Sequence, residues 1–139
     1  MLHKQLGFAQ SLGRGAVTLT ITATDIVGGI GTASELLHHD NPPVITSDGG
    51  GASAAINVAE NSTAVTTVTA TDADVGSTLS YSISGGADAA KFTINSSTGA
   101  LSFLSAPDFE TPTDVGGDNV YNVTVQASDG QGGLSTHTF

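Results

Sequence analysis

A strand pattern that ends on an acidic residue recurs three times along the 139-residue chain. The copies are VTLTITATD (17–25), VTTVTATD (65–72) and VYNVTVQASD (120–129), and each β-branched run closes on Ala, a small hydroxyl residue and Asp. Runs of this composition predict strands. A repeated strand-plus-acid unit indicates a tandem array, in which carboxylates gather at one end of each unit.

The second copy carries a further acid, because Asp72 and Asp74 stand one residue apart after the predicted strand. Residues i and i+2 of an extended chain point the same way, so both carboxylates are expected on one side. Such charges repel each other unless a cation or hydrogen-bond donors lie between them. A single motif of this kind can be explained by two solvated carboxylates. Because other strands of the chain also end on an acid, we favour the interpretation that these acids bind a cation.

Five short motifs resemble those of the cadherin repeat, in the form found in bacterial surface and secreted proteins. They stand in the family order: Asp40-Asn41-Pro42-Pro43 is similar to the end of the inter-repeat linker, Ala59-Glu60-Asn61 to the xEN element, Asp72-Ala73-Asp74 to DxD, Pro107-Asp108-Phe109-Glu110 to D-x-E, and Asp129 in ASDG to the late xDx. The resemblance spans roughly Asp40 to Phe139. Order and spacing together make it specific.

The resemblance implies calcium, a cation that takes about six to eight oxygen ligands. It divides the ligands between two junctions: Asp40, Asn41, Asp72, Asp74 and Asp129 at the N-terminal end, and Glu60, Asp108 and Glu110 at the opposite end. The linker departs from the usual D-x-N-D-N pattern of the family, because Leu37 and His39 replace oxygen ligands. Full occupancy of that junction is therefore not expected from this chain alone.

Single acids also fit simpler roles that need no cation. Asp108 would cap the turn after Pro107, Asp129 would form an Asx turn before Gly130, and Glu60 would be a solvated charge. Four more acids are interpreted as solvated or as turn residues: Asp114 and Asp118 in the loop 111–119, and Asp48 and Asp88 in turns. His38 and His39 are interpreted as exposed linker residues, with a transition-metal site as the alternative.

The charge balance narrows the classes of partner. The chain has 13 acidic and 3 basic residues, a formal net charge of -10 and no cysteine. Such a surface repels nucleic acid and anionic lipid, and divalent cations are its natural counter-charge. No apolar run reaches the length of a membrane span. We therefore expect no nucleic-acid partner and no membrane insertion, and the resemblance implies an extracellular or cell-surface location.

The pattern of short strands and glycine-rich turns predicts an all-β Greek-key sandwich of about seven strands, with a cadherin- or immunoglobulin-like arrangement. The predicted strands of its main part are Val44–Thr46, Ala54–Ala59, Ala64–Thr71, Thr78–Ser84, Phe92–Asn95, Ala100–Leu104, Asn119–Ser128 and Leu134–Phe139. A short helical turn is expected within 85–90. The predicted core consists of Ile56, Val58, Val65, Val68, Leu79, Tyr81, Ile83, Phe92, Ile94, Leu101, Phe103, Tyr121, Val123 and Val125.

Four segments are expected along the chain. Residues 1–15 are interpreted as an unstructured leader or a reading-frame artefact, and residues 16–39 as a hairpin left from a preceding repeat. Residues 40–43 form the linker, and residues 44–139 the repeat itself. By comparison with the family, the last strand of this repeat is expected to be cut short at Phe139.

Three classes of function are compatible with a small β domain of this kind. The favoured one is a calcium-binding structural or adhesion module of a large bacterial cell-surface or secreted protein, with neighbouring repeats and a homophilic or cell-surface ligand as partners. The alternative is a carbohydrate-binding or accessory module of a secreted enzyme. A sugar site usually needs exposed aromatic side chains, but the chain has no Trp, and Tyr81 and Tyr121 have the phase of core residues. An enzyme is not expected, because neither a nucleophile elbow nor a phosphate loop accompanies the acids or the Ser135–His137 pair.

Overall fold

The computed structural model describes residues 4–6, 17–24, 27–28, 30–37 and 40–139. The chain divides into two compact units, residues 1–40 and residues 41–139. In the described residues, regular structure consists of strands and two short 3-10 turns. None of the described segments is a helix long and apolar enough to cross a membrane.

The described part of the first unit is a three-stranded antiparallel sheet. Its strands are β1 (Lys4–Leu6), β2 (Val17–Thr24) and β3 (Ile30–Leu37), in the spatial order β1-β2-β3. Strands β2 and β3 coincide with the predicted hairpin and pair from Val17–Leu37 to Thr24–Ile30. Strand β1 differs from the expectation of a leader without regular structure. Asp25, His38 and His39 lie outside the described residues.

The second unit contains eight short strands in antiparallel sheets. They are β4 (Val44–Ile45), β5 (Ala64–Thr67), β6 (Ala70–Thr71), β7 (Ser80–Gly85), β8 (Phe92–Ile94), β9 (Ala100–Phe103), β10 (Thr124–Ser128) and β11 (Leu134–Thr138). Their orders are β11-β10-β7, β5-β9-β8 and β4-β6. The predicted all-β Greek-key sandwich is confirmed. Counting β5 and β6 as the single strand that the sequence predicts there leaves seven.

The core forms where alternate residues of the strands face inward. Val123, Val125 and Ala127, at successive inward positions, are completely buried. The buried apolar residues are Ile45, Val68, Tyr81, Phe92, Leu101, Phe103, Val123, Val125 and Ala127. All fourteen predicted core residues are buried or half-buried, and Ile45 and Ala127 join them beyond the prediction.

The predicted strand Ala64–Thr71 is interrupted between β5 and β6. The N–H of Val68 donates to the carbonyl of Gly99 at 2.9 Å, and the N–H of Ala70 donates to the Tyr81 hydroxyl at 3.1 Å. Gly99 has a φ of +72°, and a Cβ there would collide with the Val68 carbonyl. Only glycine therefore fits at position 99, where the turn brings the Gly99 carbonyl to the Val68 N–H.

One predicted strand is absent and another is shortened, because each lacks a ladder partner over part of its predicted length. Residues 54–59 form no strand, although their burial alternates between half-buried and exposed. This segment is held at its start, where Ser53 pairs in parallel with Thr138 and the Ala54 N–H donates to the Thr138 carbonyl at 3.0 Å. Likewise, β10 begins at Thr124 rather than at Asn119, because β11 ends beside Val123.

Candidate metal centres at the two ends of the domain

The directions of the strands assign the acidic motifs to the two ends of the sandwich. The chain leaves the linker at Asn41 and runs to Glu60, and the antiparallel return through β5 and β6 leads back to Asp72. Strand β9 runs against β5, so Asp108 follows at the end far from the linker. Strand β10 runs against β11, which is parallel to the outgoing chain, so Asp129 lies at the linker end.

Three carboxylates meet at the end far from the linker. Oxygen atoms of Glu60, Asp108 and Glu110 all lie within 4.8 Å of one another, and the three residues are exposed. The backbone sets this arrangement, since the N–H of Asn61 donates to the carbonyl of Pro107 at 3.0 Å. Asp108 Oδ1 also accepts the N–H of Glu110 at 3.0 Å, which is the expected turn contact. The three oxygens have the type and spacing that suit a hard cation.

At the linker end, Asn41, Asp72 and Asp74 are joined by hydrogen bonds. The Asn41 N–H donates to Asp74 Oδ2 at 2.7 Å, and its Nδ2 donates to Asp74 Oδ1 at 2.9 Å. The N–H of Asp74 in turn donates to Asp72 Oδ1 at 2.7 Å. The two acids of the DxD motif therefore have different surroundings, one facing the linker and the other turned onto its own loop.

Asp129 is buried beside the linker, with 3% of its surface exposed. Its Oδ1 accepts the N–H groups of Gln131, Gly132 and Gly133 at 2.8, 3.1 and 3.0 Å, so the Asx-turn role accounts for one oxygen. A Cβ on Gly133 would collide with the other oxygen and would lie 2.8 Å from Cα of Pro42. This glycine lets the carboxylate approach the linker.

Two buried carboxylate oxygens stand out at the linker end. Oδ2 of Asp72 and Oδ2 of Asp129 are buried and accept no hydrogen bond within residues 40–139. A buried carboxylate oxygen without a donor is costly, and a bound ion would satisfy it. The donor set at this end therefore fits a hard cation.

The linker-end acids are less closely gathered than those at the far end. Among the described residues, only Glu60, Asp108 and Glu110 form a group of three or more possible metal-binding side chains within 4.8 Å. Asp40 is half-buried and belongs to the first compact unit, whereas Asn41 belongs to the second.

Two acids outside both motifs are buried; Asp88 lies in a turn as expected, and Asp114 corrects an expectation. Asp114, interpreted from the sequence as solvated, is only 7% exposed, and Asp88 is 2% exposed. Asp88 accepts the N–H groups of Val115 at 2.8 Å and Asn122 at 2.9 Å. A long loop without ladder hydrogen bonds needs side-chain acceptors for its backbone N–H groups, and the acids supply them here.

The pKa of Asp114 reflects the same geometry. Burial on its own raises the pKa of this carboxyl, but backbone N–H groups of Asp118, Asn119, Asp114 itself and Gly117 outweigh burial and hold it below the ordinary value of 3.8. The bonds from Asp118 and Asn119 are each 3.0 Å long. The ionised form of Asp114 therefore holds the loop together.

The side chains that a sugar-binding module or an enzyme would need are largely in the core. Tyr81 is 9% exposed, so it offers no aromatic platform for a sugar. His137 is completely buried, and its Nδ1 lies 2.7 Å from the Gly51 carbonyl. His137 therefore contacts the backbone inside the core and is not exposed to a substrate.

Comparison with known proteins identifies relatives of the β-sandwich. The family model described as "Cadherin domain" matches residues 54–138. A crystal structure of the protocadherin GammaB4 extracellular domain is 25% identical over 99% of this chain and 24% of its own length, with a TM-score of 0.55. A structure of protocadherin Gamma B2 extracellular cadherin domains 3-6 is 25% identical over 88% of this chain and 30% of its own length, also at 0.55.

A curated relative extends the similarity. Halomucin of Haloquadratum walsbyi is 50% identical over 36 residues. These residues make up 26% of this chain, but their share of the length of halomucin rounds to 0%. The chain thus spans less than a third of the length of these three relatives. The shared module is of the adhesion-type extracellular class, which is not a known enzyme family. With a family match over more than half of its length, the chain belongs to the cadherin domain family.

Proposed function

We propose that this chain is a calcium-binding structural and adhesive module of a large cell-surface or secreted protein. The observation that carries the proposal is the gathering of strand-end acids at both ends of one sandwich. Glu60, Asp108 and Glu110 meet at one end, while Asp72, Asp74 and Asp129 lie at the end that holds the linker. Neighbouring cadherin-like repeats are the partners that such a distribution serves, and a homophilic or cell-surface ligand is the further partner that we propose.

The linker end supports the proposal through buried oxygens. Oδ2 of Asp72 and Oδ2 of Asp129 have no donor among residues 40–139, so a cation there removes a cost of the apo state. Asp74 and Asn41 fix the linker against the same end. Asp40, the residue before Asn41, is proposed as an additional ligand.

The far end supports it through repulsion between exposed charges. Three carboxylates within 4.8 Å repel one another in the absence of a counter-ion. A calcium ion would convert this repulsion into coordination, with remaining ligands supplied by water or by an adjoining repeat. Because ligands would come from both sides, calcium would rigidify the joint between repeats.

The same proposal gives the first unit a role. Strands β2 and β3 form a regular antiparallel hairpin that precedes the linker, as the last strands of a preceding repeat would. An extracellular location follows from the class of module, and the bacterial source remains a prediction from the sequence motifs.

Thermal unfolding in EDTA and across a calcium titration tests the proposal. Calcium that binds only the folded form stabilises it by RT ln(1 + [Ca]/Kd), so a tenfold excess over Kd adds about 1.4 kcal/mol. For a domain of this size that is a rise in Tm of roughly 4–8 °C. We expect a Kd on the order of 10⁻⁴–10⁻³ M, as in extracellular modules.

Variants separate the two ends. Asp72→Asn weakens binding at the linker end and Glu110→Gln weakens it at the far end, so each removes part of the calcium-dependent rise. Asp48→Asn, at an acid outside both groups, is the matched control and keeps the full rise. An unchanged Tm in millimolar calcium would contradict calcium binding by this chain, and an equal effect of magnesium would contradict selectivity for calcium.

A further inference from the structure

Three segments of the second unit match the Asn-x-Ser/Thr pattern, at which a saccharide can be attached to the side chain of the asparagine. They are Asn61-Ser62-Thr63, Asn95-Ser96-Ser97 and Asn122-Val123-Thr124. The asparagine is exposed in all three. The sequence does not rank them, because the pattern is the same in each, but the structure gives them three different backbone settings.

The segment Asn122-Val123-Thr124 leads into β10 and is held along its whole length. The Asn122 N–H donates to Asp88 Oδ2 at 2.9 Å, and the Asn122 carbonyl accepts the Asp88 N–H at 2.9 Å. Val123 is completely buried, and Oγ1 of Thr124 lies 3.0 Å from Oγ1 of Thr138. An enzyme cannot enclose this backbone, and the hydroxyl that the pattern requires already has a partner.

The segment Asn61-Ser62-Thr63 lies in a turn at the end far from the linker. Its backbone is tied on both sides, because the Asn61 N–H donates to the Pro107 carbonyl at 3.0 Å and the Thr63 carbonyl accepts the Phe103 N–H at 2.7 Å. Its asparagine also follows Glu60, a member of the group of three carboxylates at this end. These charges repel the anionic diphosphate of an activated saccharide.

The segment Asn95-Ser96-Ser97 forms the tip of the hairpin between β8 and β9. Asn95 Oδ1 accepts the N–H groups of Ser97 and Thr98, each at 3.0 Å, which is an Asx turn. Only the oxygen of a side-chain amide accepts from an N–H, so the turn fixes the orientation of this amide. Nδ2 of Asn95 and the hydroxyl of Ser97 have no hydrogen-bond partner among residues 40–139, and both residues are exposed.

The charges along the chain also favour this turn. Residues 92–107 contain no charged side chain, and the nearest charge before them in the sequence is Lys91, the single Lys or Arg of residues 41–139. An anionic donor therefore meets less repulsion here than beside the acids of the other two segments.

We propose that Asn95 is a site of N-linked glycosylation, modified in the folded domain by an oligosaccharyltransferase. The co-substrate is a saccharide joined to a lipid through a diphosphate. Nδ2 of Asn95 attacks C1 of the saccharide and forms the N–C bond, while the bond from C1 to the diphosphate oxygen breaks and the lipid diphosphate leaves with the electron pair. One proton of Nδ2 passes to a carboxylate of the enzyme. Oδ1 takes no part, so the Asx turn persists in the product.

The test offers the purified full chain to a single-subunit oligosaccharyltransferase together with its lipid-linked saccharide. Intact mass counts the attached saccharides, and peptide mapping locates them. We expect one saccharide, on Asn95. Synthetic peptides of residues 58–66, 92–100 and 119–127 should all be modified by the same enzyme, because none of them is folded. The restriction to Asn95 in the full chain then comes from the fold.

Variants of the turn separate the reacting groups from the fold. Asn95→Asp keeps an oxygen that accepts the N–H groups of Ser97 and Thr98 but removes Nδ2, so this variant should fold and accept no saccharide. Ser97→Ala keeps Asn95 and both backbone donors, yet it should lose the modification because the hydroxyl is gone. Ser96→Ala, at the variable middle position, is the matched control and should be modified like the wild type. Urea denaturation checks that each variant folds.

Three results would overturn the proposal. A saccharide on Asn61 or Asn122 of the folded chain would show that these settings do not block the enzyme. An unmodified full chain, with an enzyme that modifies the peptide 92–100, would show that the folded turn is not an acceptor. Modification of Ser97→Ala to the wild-type extent would show that attachment does not follow the Asn-x-Ser/Thr pattern. None of these readouts reports on calcium, so failure here is distinguishable from failure of the proposed function.

Discussion

Asn41 donates two hydrogen bonds to Asp74, one from its backbone N–H at 2.7 Å and one from Nδ2 at 2.9 Å. The first residue of the domain is thereby tied to the loop that follows β6, 33 positions later in the chain. The start of the second unit is thus held by the position of one carboxylate.

Replacing the side chain in this contact tests its contribution. Asn41→Ala keeps the backbone bond but removes the Nδ2 donor to a charged acceptor, so we expect a loss of about 1–2 kcal/mol in the free energy of unfolding in EDTA. Urea denaturation measures it. Asn57→Ala is the matched control, because Asn57 is exposed and has no side-chain hydrogen bond among residues 40–139. Equal losses in both variants would show that the Asn41–Asp74 contact adds nothing.

Gly133 offers a second test, because its missing side chain makes room for Asp129. In Gly133→Ala the Cβ meets Asp129 Oδ2 and the Cα of Pro42, so the loop or the linker must move. We expect a loss of about 1–3 kcal/mol, as for other overpacked sites, together with weaker calcium binding.

The matched control for Gly133 is Gly51→Ala. A methyl group at Gly51 would have the Ser53 carbonyl oxygen as its nearest neighbour, 3.8 Å away, and φ there is outside the left-handed region. This variant should fold with nearly wild-type stability in urea denaturation and keep its calcium-dependent rise in Tm. A Gly133→Ala variant as stable as Gly51→Ala would contradict the close approach of Asp129 to the linker.

Acid should weaken the domain partly through Asp114. Its pKa in the folded state lies below 3.8, so its contribution to stability is complete above the unfolded pKa and is lost as pH falls through the folded pKa. We expect Asp114→Asn to be less stable than wild type at neutral pH. Between about pH 4 and pH 2 the difference should shrink, because the wild type loses a contribution that the variant lacks. Parallel urea midpoints across this range would contradict the assignment.

His137 tests a buried polar contact in the core. His137→Phe fills a similar space but leaves the Gly51 carbonyl without its imidazole partner, which lies 2.7 Å away in the wild type, and should cost about 1–3 kcal/mol. Ser135→Ala, two residues away on β11 and half-buried, should change stability by no more than about 0.5 kcal/mol. Similar urea midpoints for the two variants would show that the imidazole contact is unimportant.

The sequence predicted most of the fold because patterns of alternation are local. The apolar positions of β10 and the residues before it, such as Val123 and Val125, are buried as their period-two spacing indicates. Strand pairing, however, depends on residues far apart in the sequence. Residues 54–59 alternate in burial as predicted, but they form no strand because their only ladder partner within residues 40–139 is Thr138.

The acidic residues show the same division. The order of the motifs divides the acids at strand ends into two sets, and the strand directions place these sets at opposite ends of the sandwich. One set is Asp72, Asp74 and Asp129, and the other is Glu60, Asp108 and Glu110. The buried positions of Asp88 and Asp114 did not follow from the sequence, because nothing near Asp88 announces that Val115, 27 positions away, will donate to it. A buried acceptor is recognised only when its donors are known.

The parallel pairing of Ser53 with Thr138 bears on how the domain carries tension. A pull that draws the outgoing chain and β11 in opposite directions shears the bonds Thr138–Ala52 and Ala54–Thr138, each 3.0 Å long, at the same time instead of opening them in turn. Load is shared between them until both break. The short β4–β6 pair has only two paired positions, so the outgoing edge of the domain is where extension would begin.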